Sequence, residues 1–431
     1  MLMEKETAAA GGGGGGDSGS PLDTIAKIKV SHPENRMAKH FSNDFYHSLP
    51  EDKQKLLLLC CKSGIENADS GMGLYAMSPT DYDELKEYFD KVIRDYHGIT
   101  GTLKHVNNWD ISGVKDLPEG GKLDLTKLGL GDTSMRVRVG RNLASYPLPG
   151  NMTQDDRVNL ELGMIAAFKK LIADPAFGGT YNSLTPGNEF FVDDAKYKEL
   201  VADHIMFKDM SVDPYLLSAG ISSHWPYGRG CYVSEDKGFI VWVGEEDHLR
   251  IMCMKKGTML NEVFDRLHSC LKVIEAAEGC TFALSPDYGY VTSCPTNLGS
   301  GMRASLHIAL PALTKKGKDV SEAKAAAKTL GLSVRGIGGE HTEAGEDGTV
   351  DISPSARLCI QESEIVAALY KGVKLLMEKE TAAAGGGGGG DSGSPLDTIA
   401  KIKVSHPENR MAKHFSNDFY HSLPEDKQKL L

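Results

Sequence analysis

The chain has 431 residues, of which 40% are hydrophobic and 25% are charged, with a formal net charge of -11. This composition is typical of a globular protein of two or three domains, and the acidic balance argues against a general nucleic-acid binder. No apolar run is long enough to span a membrane, and the first twenty residues lack the basic and apolar regions of a secretory signal. The eight cysteines show no metal-ligand spacing. We therefore expect a cytoplasmic protein with reduced thiols and no metal site.

Part of the chain repeats without a mismatch, because residues 2–57 recur as residues 376–431. Both copies contain six consecutive glycines, which are typical of a flexible linker. We expect a glycine-rich linker at 1–21, one complete unit, and a truncated copy at 376–431 that lacks every candidate catalytic segment. This organisation predicts covalent linkage to further units in a longer parent chain.

The first part of the unit, residues 22–115, has mainly helical patterns. The spacing of Leu85, Phe89 and Val92 predicts a helix that begins after Ser78 or Thr80, either of which can cap it. Residues 50–61 also have a helical pattern. The Gly- and Lys-rich residues 116–133 are expected to be an interdomain linker.

From residue 134 onward, strand patterns predominate. Met135, Val137 and Val139 alternate with Arg136 and Arg138, which predicts a strand with one charged face. Further strands are expected at 238–244, 249–254, 282–284, 306–310 and 332–334, and helices at 262–277, 322–330 and 363–377. Because the strands come mainly as hairpins, residues 134–375 are expected to form an antiparallel sheet flanked by helices, and the whole unit an α+β fold.

Five short segments combine glycines, arginines, carboxylates and a cysteine. They are residues 70–76 (SGMGLYA), 134–141 (SMRVRVGR), 245–250 (EEDHLR), 294–307 (CPTNLGSGMRASLH) and 335–343 (RGIGGEHTE). In this order they closely resemble the signature segments of the phosphagen (ATP:guanidino) kinase family, which transfers a phosphoryl group between ATP and guanidinium compounds. The resemblance covers about residues 22–375. It implies a small all-helical guanidino-substrate domain (22–115) followed by a larger catalytic domain (134–375).

The chain has no glycine-rich phosphate loop of the Walker or protein-kinase type, so arginine side chains would have to hold the phosphates of ATP. Guanidinium groups bind phosphate oxygens bidentately and remain charged. The resemblance implies this role for Arg136, Arg138, Arg250, Arg303 and Arg335, with Ser134, His204 and His307 near the nucleotide. The expected cofactor is ATP or ADP with Mg²⁺, which the phosphates and water would hold. Taken singly, each arginine fits an ordinary surface ion pair better.

The acceptor poses a different problem, because a guanidinium is a cation with a pKa above about 12 and must lose a proton. Paired carboxylates can bind its fork and accept that proton. The resemblance implies Glu246, on a hairpin, and Glu340, in a mobile loop, as this catalytic pair. It also implies that Cys294 is a thiolate beside the guanidinium. Arg303 is expected to supply positive charge and Thr296 a hydrogen bond, which would make Cys294 the most reactive cysteine.

The compact loop at residues 70–76 leaves room for an amino acid, and this short form resembles the arginine kinases of the family. The resemblance thus implies L-arginine as substrate, bound by Ser70, Gly71, Met72, Gly73, Tyr75, Glu246, Cys294, Thr296 and Glu340. Gly338 and His224 stand where many arginine kinases have arginine. The alternatives are a kinase for another guanidine such as taurocyamine, or a non-catalytic arginine- or nucleotide-binding repeat of a larger protein.

Overall fold

The computed structural model describes residues 19–337 and 343–385, which form a small helical domain and a larger domain built on a sheet. The N-terminal helices are α1 (Pro21–Ser31), α2 (Arg36–His40), α3 (Asn43–Ser48), α4 (Glu51–Glu66), α5 (Asp81–Glu84) and α6 (Lys86–His97). Local capping determines where the first three begin. Ser20 and Asp23 form a capping box at α1, and the side chains of Asn35 and Ser42 accept backbone N–H groups at α2 and α3.

The helix expected after Ser78 or Thr80 is present as α5 and α6, but it begins in a different way. Thr80 occupies the N-cap position, yet its side chain makes no capping hydrogen bond. The buried carboxylate of Asp81 instead accepts the backbone N–H groups of Met77 at 2.7 Å and Ser78 at 2.8 Å. The first acid of the helix therefore holds the preceding turn, and neither expected hydroxyl caps the helix.

The larger domain is built on an antiparallel sheet of eight strands. The described residues of this domain form ten strands, two of which, β6 and β7, lie outside that sheet. They are β1 (Thr133–Arg141), β2 (Thr180–Ser183), β3 (Gly230–Val233), β4 (Phe239–Val243), β5 (Leu249–Gly257), β6 (Leu284–Ser285), β7 (Gly289–Tyr290), β8 (Met302–Ala309), β9 (Leu332–Arg335) and β10 (Thr349–Pro354). The sheet has the order β2-β3-β4-β5-β1-β8-β10-β9, and β6 pairs with β7 separately. The helices of this domain are α7 (Gln154–Ala173), α8 (Asp194–Ala202), α9 (Pro214–Ser218), α10 (Leu260–Glu275), α11 (Ser321–Lys328) and α12 (Glu362–Gly385). This architecture confirms the predicted α+β fold.

The central strand β1 separates an apolar face of the sheet from a charged one. Met135, Val137 and Val139 are fully buried and belong to the main core, together with residues of α7 and α10. Arg136 and Arg138 alternate with them and are only partly buried. The predicted alternation is thus confirmed, because side chains along a strand point to opposite faces in turn.

The helical domain shares its core with a loop of the larger domain. Met72, Leu74 and Ala76 belong to the same buried cluster as Val291 and Cys294. The loop that carries the cysteine therefore packs on the helical domain and not on the main core under the sheet. This packing places the 70–76 segment and the cysteine segment side by side.

Two expected boundaries differ from the structure. Leu123 and Leu125 are fully buried within residues 116–133, so this segment packs against the core and is not a free linker. The last helix, α12, continues beyond the expected end of the unit at residue 375, and Leu376 is fully buried in the main core. The first residues of the repeated segment therefore continue the C-terminal helix of the unit.

Other elements were expected differently or not at all. The strand expected at 282–284 consists of an isolated bridge at Phe282 followed by the two-residue β6. Helices α7, α8 and α9 and strands β2, β3 and β10 had not been predicted. No helix formed by the described residues has the length and apolar character of a membrane-spanning segment.

Candidate active site

Strand register places most of the candidate nucleotide-binding residues on the charged face of the sheet. Ser134 on β1 pairs with His307 on β8, which pairs with Asp351 on β10, which in turn pairs with Arg335 on β9. Directly paired residues in a sheet point to the same side. These residues therefore form one row across four strands. Two further pairs lie beside this row, Arg136 with Ser305 and Arg138 with Arg303.

The arginines on this face are buried and lie close enough for their positive charges to disfavour one another. Burial, followed by the charges of Arg250 and Arg136, pushes the pKa of Arg138 well below its usual range. Burial also lowers the pKa of Arg303 to about 10, although Asp351 opposes that shift. Since guanidinium groups keep their proton in proteins, the result is a concentration of positive charge on this face of the sheet. Such a concentration of charge favours binding of a polyanion.

Two arginines have carboxylate partners that fix their position. Arg303 forms a buried ion pair with Asp351 and donates from Nε to Ser353 at 3.1 Å. Burial opposes the ionisation of Asp351, but His307 and Arg303 together lower its pKa to about 2. Arg250 lies 2.8 Å from a carboxylate oxygen of Glu245. These pairs orient the guanidinium groups before any ligand arrives.

Glu246 lies on the turn between β4 and β5, which begins at a glycine that no other residue can replace. Gly244 has φ +75°, and a Cβ there would lie 2.4 Å from the carbonyl oxygen of Gly228. The side chain of Glu246 is 20% exposed and lies 3.8 Å from Arg250. Burial and the charges of Asp247 and neighbouring acids raise the pKa of Glu246 to about 7. Such a carboxylate can accept a proton near neutral pH.

Cys294 has neither the partly exposed setting nor the positive charge of Arg303 that was expected. Its side chain is buried, and its Sγ lies 3.1 Å from Oγ1 of Thr296, as expected for a hydrogen bond. Burial and the negative charge of Glu246 raise the pKa of the Cys294 thiol to about 12. Arg303, the expected source of positive charge, is held by Asp351 instead. All eight cysteines are free thiols in the structure.

A sixth arginine, Arg357, lies in this site and was not identified from the sequence. Its Nη1 donates to the carbonyl oxygen of Thr296 at 3.3 Å and to the side chain of Asn297. Its positive charge favours the ionised forms of Glu246 and Cys294. It also lines a small cleft together with Arg138, Arg250, Arg303 and Asp247. No local pattern in the sequence distinguishes Arg357 from an ordinary surface arginine.

The 70–76 loop is held against α2 and α4 of its own domain through its carbonyl groups. Those of Gly71, Met72 and Gly73 accept from Arg36 Nη1 at 2.8 Å, Met37 N at 3.1 Å and Gly64 N at 3.0 Å. Ser70 Oγ accepts the N–H of Gly73 at 2.9 Å. Gly73 has φ +68°, and a Cβ there would lie 2.8 Å from the Cα of Gly64. The loop is therefore compact because it lies directly on α4.

Tyr75, near the end of this loop, lies close enough to Glu246 and Cys294 for their charges to affect its pKa. It is partly buried, and its N–H donates to the carbonyl oxygen of Cys60 at 3.0 Å. Burial, Cys294 and Glu246 raise the pKa of its hydroxyl. The phenol therefore remains protonated and available as a donor near both groups.

The remaining candidates lie at the edge of the site or outside the described residues. His204 is exposed and follows α8. Its neighbour Ile205 accepts a hydrogen bond at its carbonyl oxygen from Trp242 Nε1 at 2.6 Å, and the Trp242 ring lies 5.5 Å from the Arg250 guanidinium. His204 is thus connected to the arginines only through these residues. Ser134 is exposed at the end of its row. His224 has φ +60°, and its Nδ1 lies 3.4 Å from Nε of Arg157.

Glu340 and Gly338 lie outside the described residues, so their expected roles stay predictions. The structure brings together the segment of Glu246, the segment of Cys294, the 70–76 loop and four of the five expected arginines. Arg335 occupies the outer strand of the same row.

Two family profiles match the chain. The profile of the ATP:guanido phosphotransferase N-terminal domain matches residues 31–94, and that of the C-terminal catalytic domain matches residues 162–383. Among similar proteins, arginine kinase Oct f 2 of Amphioctopus fangsiao is 37% identical over 361 residues, which cover 83% of this chain and 97% of that protein. The arginine kinase of Limulus polyphemus is 36% identical over 360 residues, with 82% and 94% covered.

Solved structures of related kinases have the same fold. The duplicated taurocyamine kinase from Schistosoma mansoni matches with a TM-score of 0.72 and 27% identity, over 93% of this chain and 55% of that chain. Lombricine kinase matches with a TM-score of 0.68 and 29% identity, over 82% and 93%. This chain thus spans about half the length of the duplicated kinase. The matched residues contain both the loop of the helical domain and the charged face of the sheet. The chain therefore belongs to the ATP:guanido phosphotransferase family and is a phosphagen kinase.

Proposed function

We propose that this phosphagen kinase transfers the γ-phosphoryl group of MgATP reversibly to the guanidinium of L-arginine, giving phosphoarginine and MgADP and thereby buffering cellular ATP. The observation that carries the choice of arginine is the short loop at residues 70–76, bound to α2 and α4 through its carbonyl groups. In this proposal the helical residues 22–115 hold the amino acid, and the sheet-based residues 134–375 hold the nucleotide.

The loop supports recognition of an α-carboxylate. Its carbonyl groups are engaged by the helical domain, while among the described residues no protein acceptor receives the N–H groups of Gly71, Met72 and Leu74. Met72 and Leu74 are buried. Neighbouring backbone N–H groups without a protein acceptor favour binding of an anion. The carboxylate of arginine supplies that anion, and creatine, with a shorter body, reaches the loop less well.

The acceptor chemistry assigns complementary roles to two carboxylates and the thiol. Glu246 binds one edge of the guanidinium and accepts its proton, since its raised pKa suits proton transfer near pH 7. Glu340 binds from the Gly-rich loop, and Cys294 faces the guanidinium. The cationic substrate then adds a positive charge beside the thiol, which lowers the pKa of the thiol on binding.

The nucleotide side is electrostatic. Arg136, Arg138, Arg250, Arg303 and Arg335 hold the phosphate oxygens of ATP, with Ser134 and His204 nearer the nucleoside. These groups stabilise the charge spread over the transferred phosphoryl group and orient it in line with the acceptor nitrogen. Mg²⁺ is held mainly by the phosphates and water. We place the enzyme in the cytoplasm, joined to further kinase units in its parent chain.

Coupled ATP-consumption assays with L-arginine, taurocyamine, lombricine and creatine test the substrate. We expect kcat/KM for arginine to exceed that for creatine by at least about 30-fold, the effect of leaving polar groups of a site unpaired. A higher kcat/KM for taurocyamine or lombricine would overturn arginine as the substrate while leaving phosphagen kinase activity in place.

A further inference from the structure

A buried asparagine joins the segments that carry the proposed base and the thiol. Asn142 follows β1 and is 1% exposed. Its Nδ2 donates to Asp247 Oδ1 at 2.7 Å and to the carbonyl oxygen of Val291 at 3.0 Å. Its Oδ1 accepts the backbone N–H of His248 at 2.8 Å. The orientation of the amide is therefore unambiguous, because the reverse would place its oxygen against a carboxylate and a carbonyl.

Asp247 extends this connection to the cysteine segment. The same Oδ1 that accepts from Asn142 also accepts the N–H of Ser293 at 2.7 Å. Asp247 directly follows Glu246, and Ser293 directly precedes Cys294. One oxygen of the Asp247 carboxylate thus connects the turn that carries Glu246 to the loop that carries Cys294.

The space around this carboxylate permits little adjustment. A Cβ at Gly140 would lie 2.7 Å from Asp247 Oδ2, so β1 presses on the carboxylate from the other side. His248 is also fixed, because its Nδ1 accepts the N–H of Leu143 at 2.9 Å and its Nε2 donates to Pro147 O at 2.8 Å. Burial lowers the pKa of His248 to about 3, which keeps it neutral in this arrangement.

We propose that Asn142 is a positioning residue for the phosphoryl transfer: through Asp247 and Val291 it sets the separation between Glu246 and Cys294. The inference rests on the roles proposed above for those two residues. Asn142 contacts neither of them directly. It acts through hydrogen bonds to the residue after the base and to a carbonyl three residues before the thiol. A displacement of about 1 Å at such a site can cost about 100-fold in rate.

The isosteric variant Asn142→Asp gives the sharpest test. It keeps an acceptor for His248 N–H but replaces both N–H donors by an oxygen that faces Asp247. Two such carboxylates repel each other at high pH and share a proton at lower pH. The variant leaves the other titratable and charged groups around Asp247 unchanged. These groups are Glu245, Glu246, His248, Tyr75, Tyr82, Cys294, Arg138, Arg250, Arg303 and Arg357.

At pH 8 we expect kcat of Asn142→Asp to fall at least about 10-fold, with the KM for MgATP changed by less than about two-fold. The ratio of variant to parent kcat should rise as pH falls toward 6, because the shared proton restores the hydrogen bond. The matched control is Asn182→Asp, which places a carboxylate at another buried asparagine, on β2. Asn182→Asp should lower the melting temperature, but the ratio of its kcat to that of the parent enzyme should not change with pH.

The proposal is overturned if Asn142→Asp loses no more kcat than Asn182→Asp, or if its loss is independent of pH. Should Asn142→Asp not fold, Asn142→Ser carries the test, since a hydroxyl cannot bridge both acceptors. It should lower kcat and, in a Cys359→Ser background, speed alkylation of Cys294; unchanged values would contradict the inference. Glu246→Gln and Cys294→Ser are measured in parallel. If these two retain activity, the proposed roles fail; if they lose it while the Asn142 variants do not, only the positioning role fails.

Discussion

The backbone N–H of Ala76 donates a hydrogen bond to the carbonyl oxygen of Ser293 over 2.9 Å. Ala76 follows Tyr75 at the end of the 70–76 loop, and Ser293 precedes Cys294; both joined residues are fully buried. The same Ser293 donates its N–H to Asp247, beside Glu246. One peptide segment therefore connects the loop proposed to recognise the substrate with both groups proposed to act on its guanidinium.

The loop itself can be tested with a pair of glycine variants. Gly73→Ala should raise the KM for arginine about 10-fold or more, because it strains a residue at φ +68° and meets α4 at 2.8 Å. Gly98→Ala is the matched control, since Gly98 at the end of α6 also has a positive φ, of +66°, but a Cβ there would meet no atom within 4 Å. Steady-state kinetics with arginine and MgATP varied separately distinguish them. Equal effects of the two variants would contradict a role for loop geometry in arginine binding.

The carboxylate pair should be unequal. Glu246→Gln keeps the shape of the side chain but removes its charge, and we expect kcat to fall about 100-fold or more, as for a positioned acid–base group. Glu340→Gln should cost less in kcat, because its Gly-rich loop must be ordered before the carboxylate can act. Both kcat and arginine KM are measured, with MgATP binding checked separately. The surface variant Glu262→Gln is the control. A larger kcat loss for Glu340→Gln would reverse the ranking.

The raised pKa of Glu246 predicts a pH dependence. Only the carboxylate form accepts a proton, so kcat/KM for arginine should decline below pH 7, where the free enzyme becomes protonated at Glu246. The bound guanidinium favours the carboxylate, so the same decline in kcat should lie at lower pH. Glu246→Gln should lack this acidic limb. A flat profile down to pH 5.5, or a limb that persists in the variant, would show that another group titrates.

Alkylation should distinguish two cysteines. The sequence alone predicts Cys294 as the most reactive thiol, but burial raises its pKa to about 12, whereas Cys359 is exposed. We therefore expect iodoacetamide to label Cys359 first in the free enzyme, as followed by peptide mapping. In Cys359→Ser, slow labelling of Cys294 should be suppressed further by arginine with MgADP. Earlier labelling of Cys294 in the unsubstituted protein would restore the original expectation.

Truncation should show where the unit ends. Ending the chain after residue 375 removes Leu376, which is fully buried, and Met377, which packs on the same core. Loss of one buried leucine costs about 1.5–3 kcal/mol, so the melting temperature should fall by a few degrees. Ending the chain after residue 385 should change neither melting temperature nor kcat, since a partial unit cannot bury a core of its own. Equal melting temperatures for the two truncations would contradict a structural role for the start of the repeated segment.

The sequence alone was sufficient for features that depend on neighbours along the chain. Alternation of Met135, Val137 and Val139 with arginines predicted a strand with one charged face, and α4 and α10 followed from helical spacing. The five ordered motifs predicted the family, which the comparisons confirm. Helix α7 was missed although Leu160, Met164 and Phe168 have helical spacing and Thr153 forms a capping box with Asp156 at its start.

Tertiary structure decided which distant residues meet. Strand order and register, which depend on pairing across long stretches of chain, placed Arg138 beside Arg303 and Asp351 beside Arg335. The same packing buried Cys294 and removed its expected positive partner, because Arg303 found Asp351 instead. The motif thus predicted that a thiol lies in the site, whereas the neighbours that affect the pKa of this thiol are brought together only by folding. Arg357 and Asn142 carry no local signal, since their contacts come from segments far apart in the sequence.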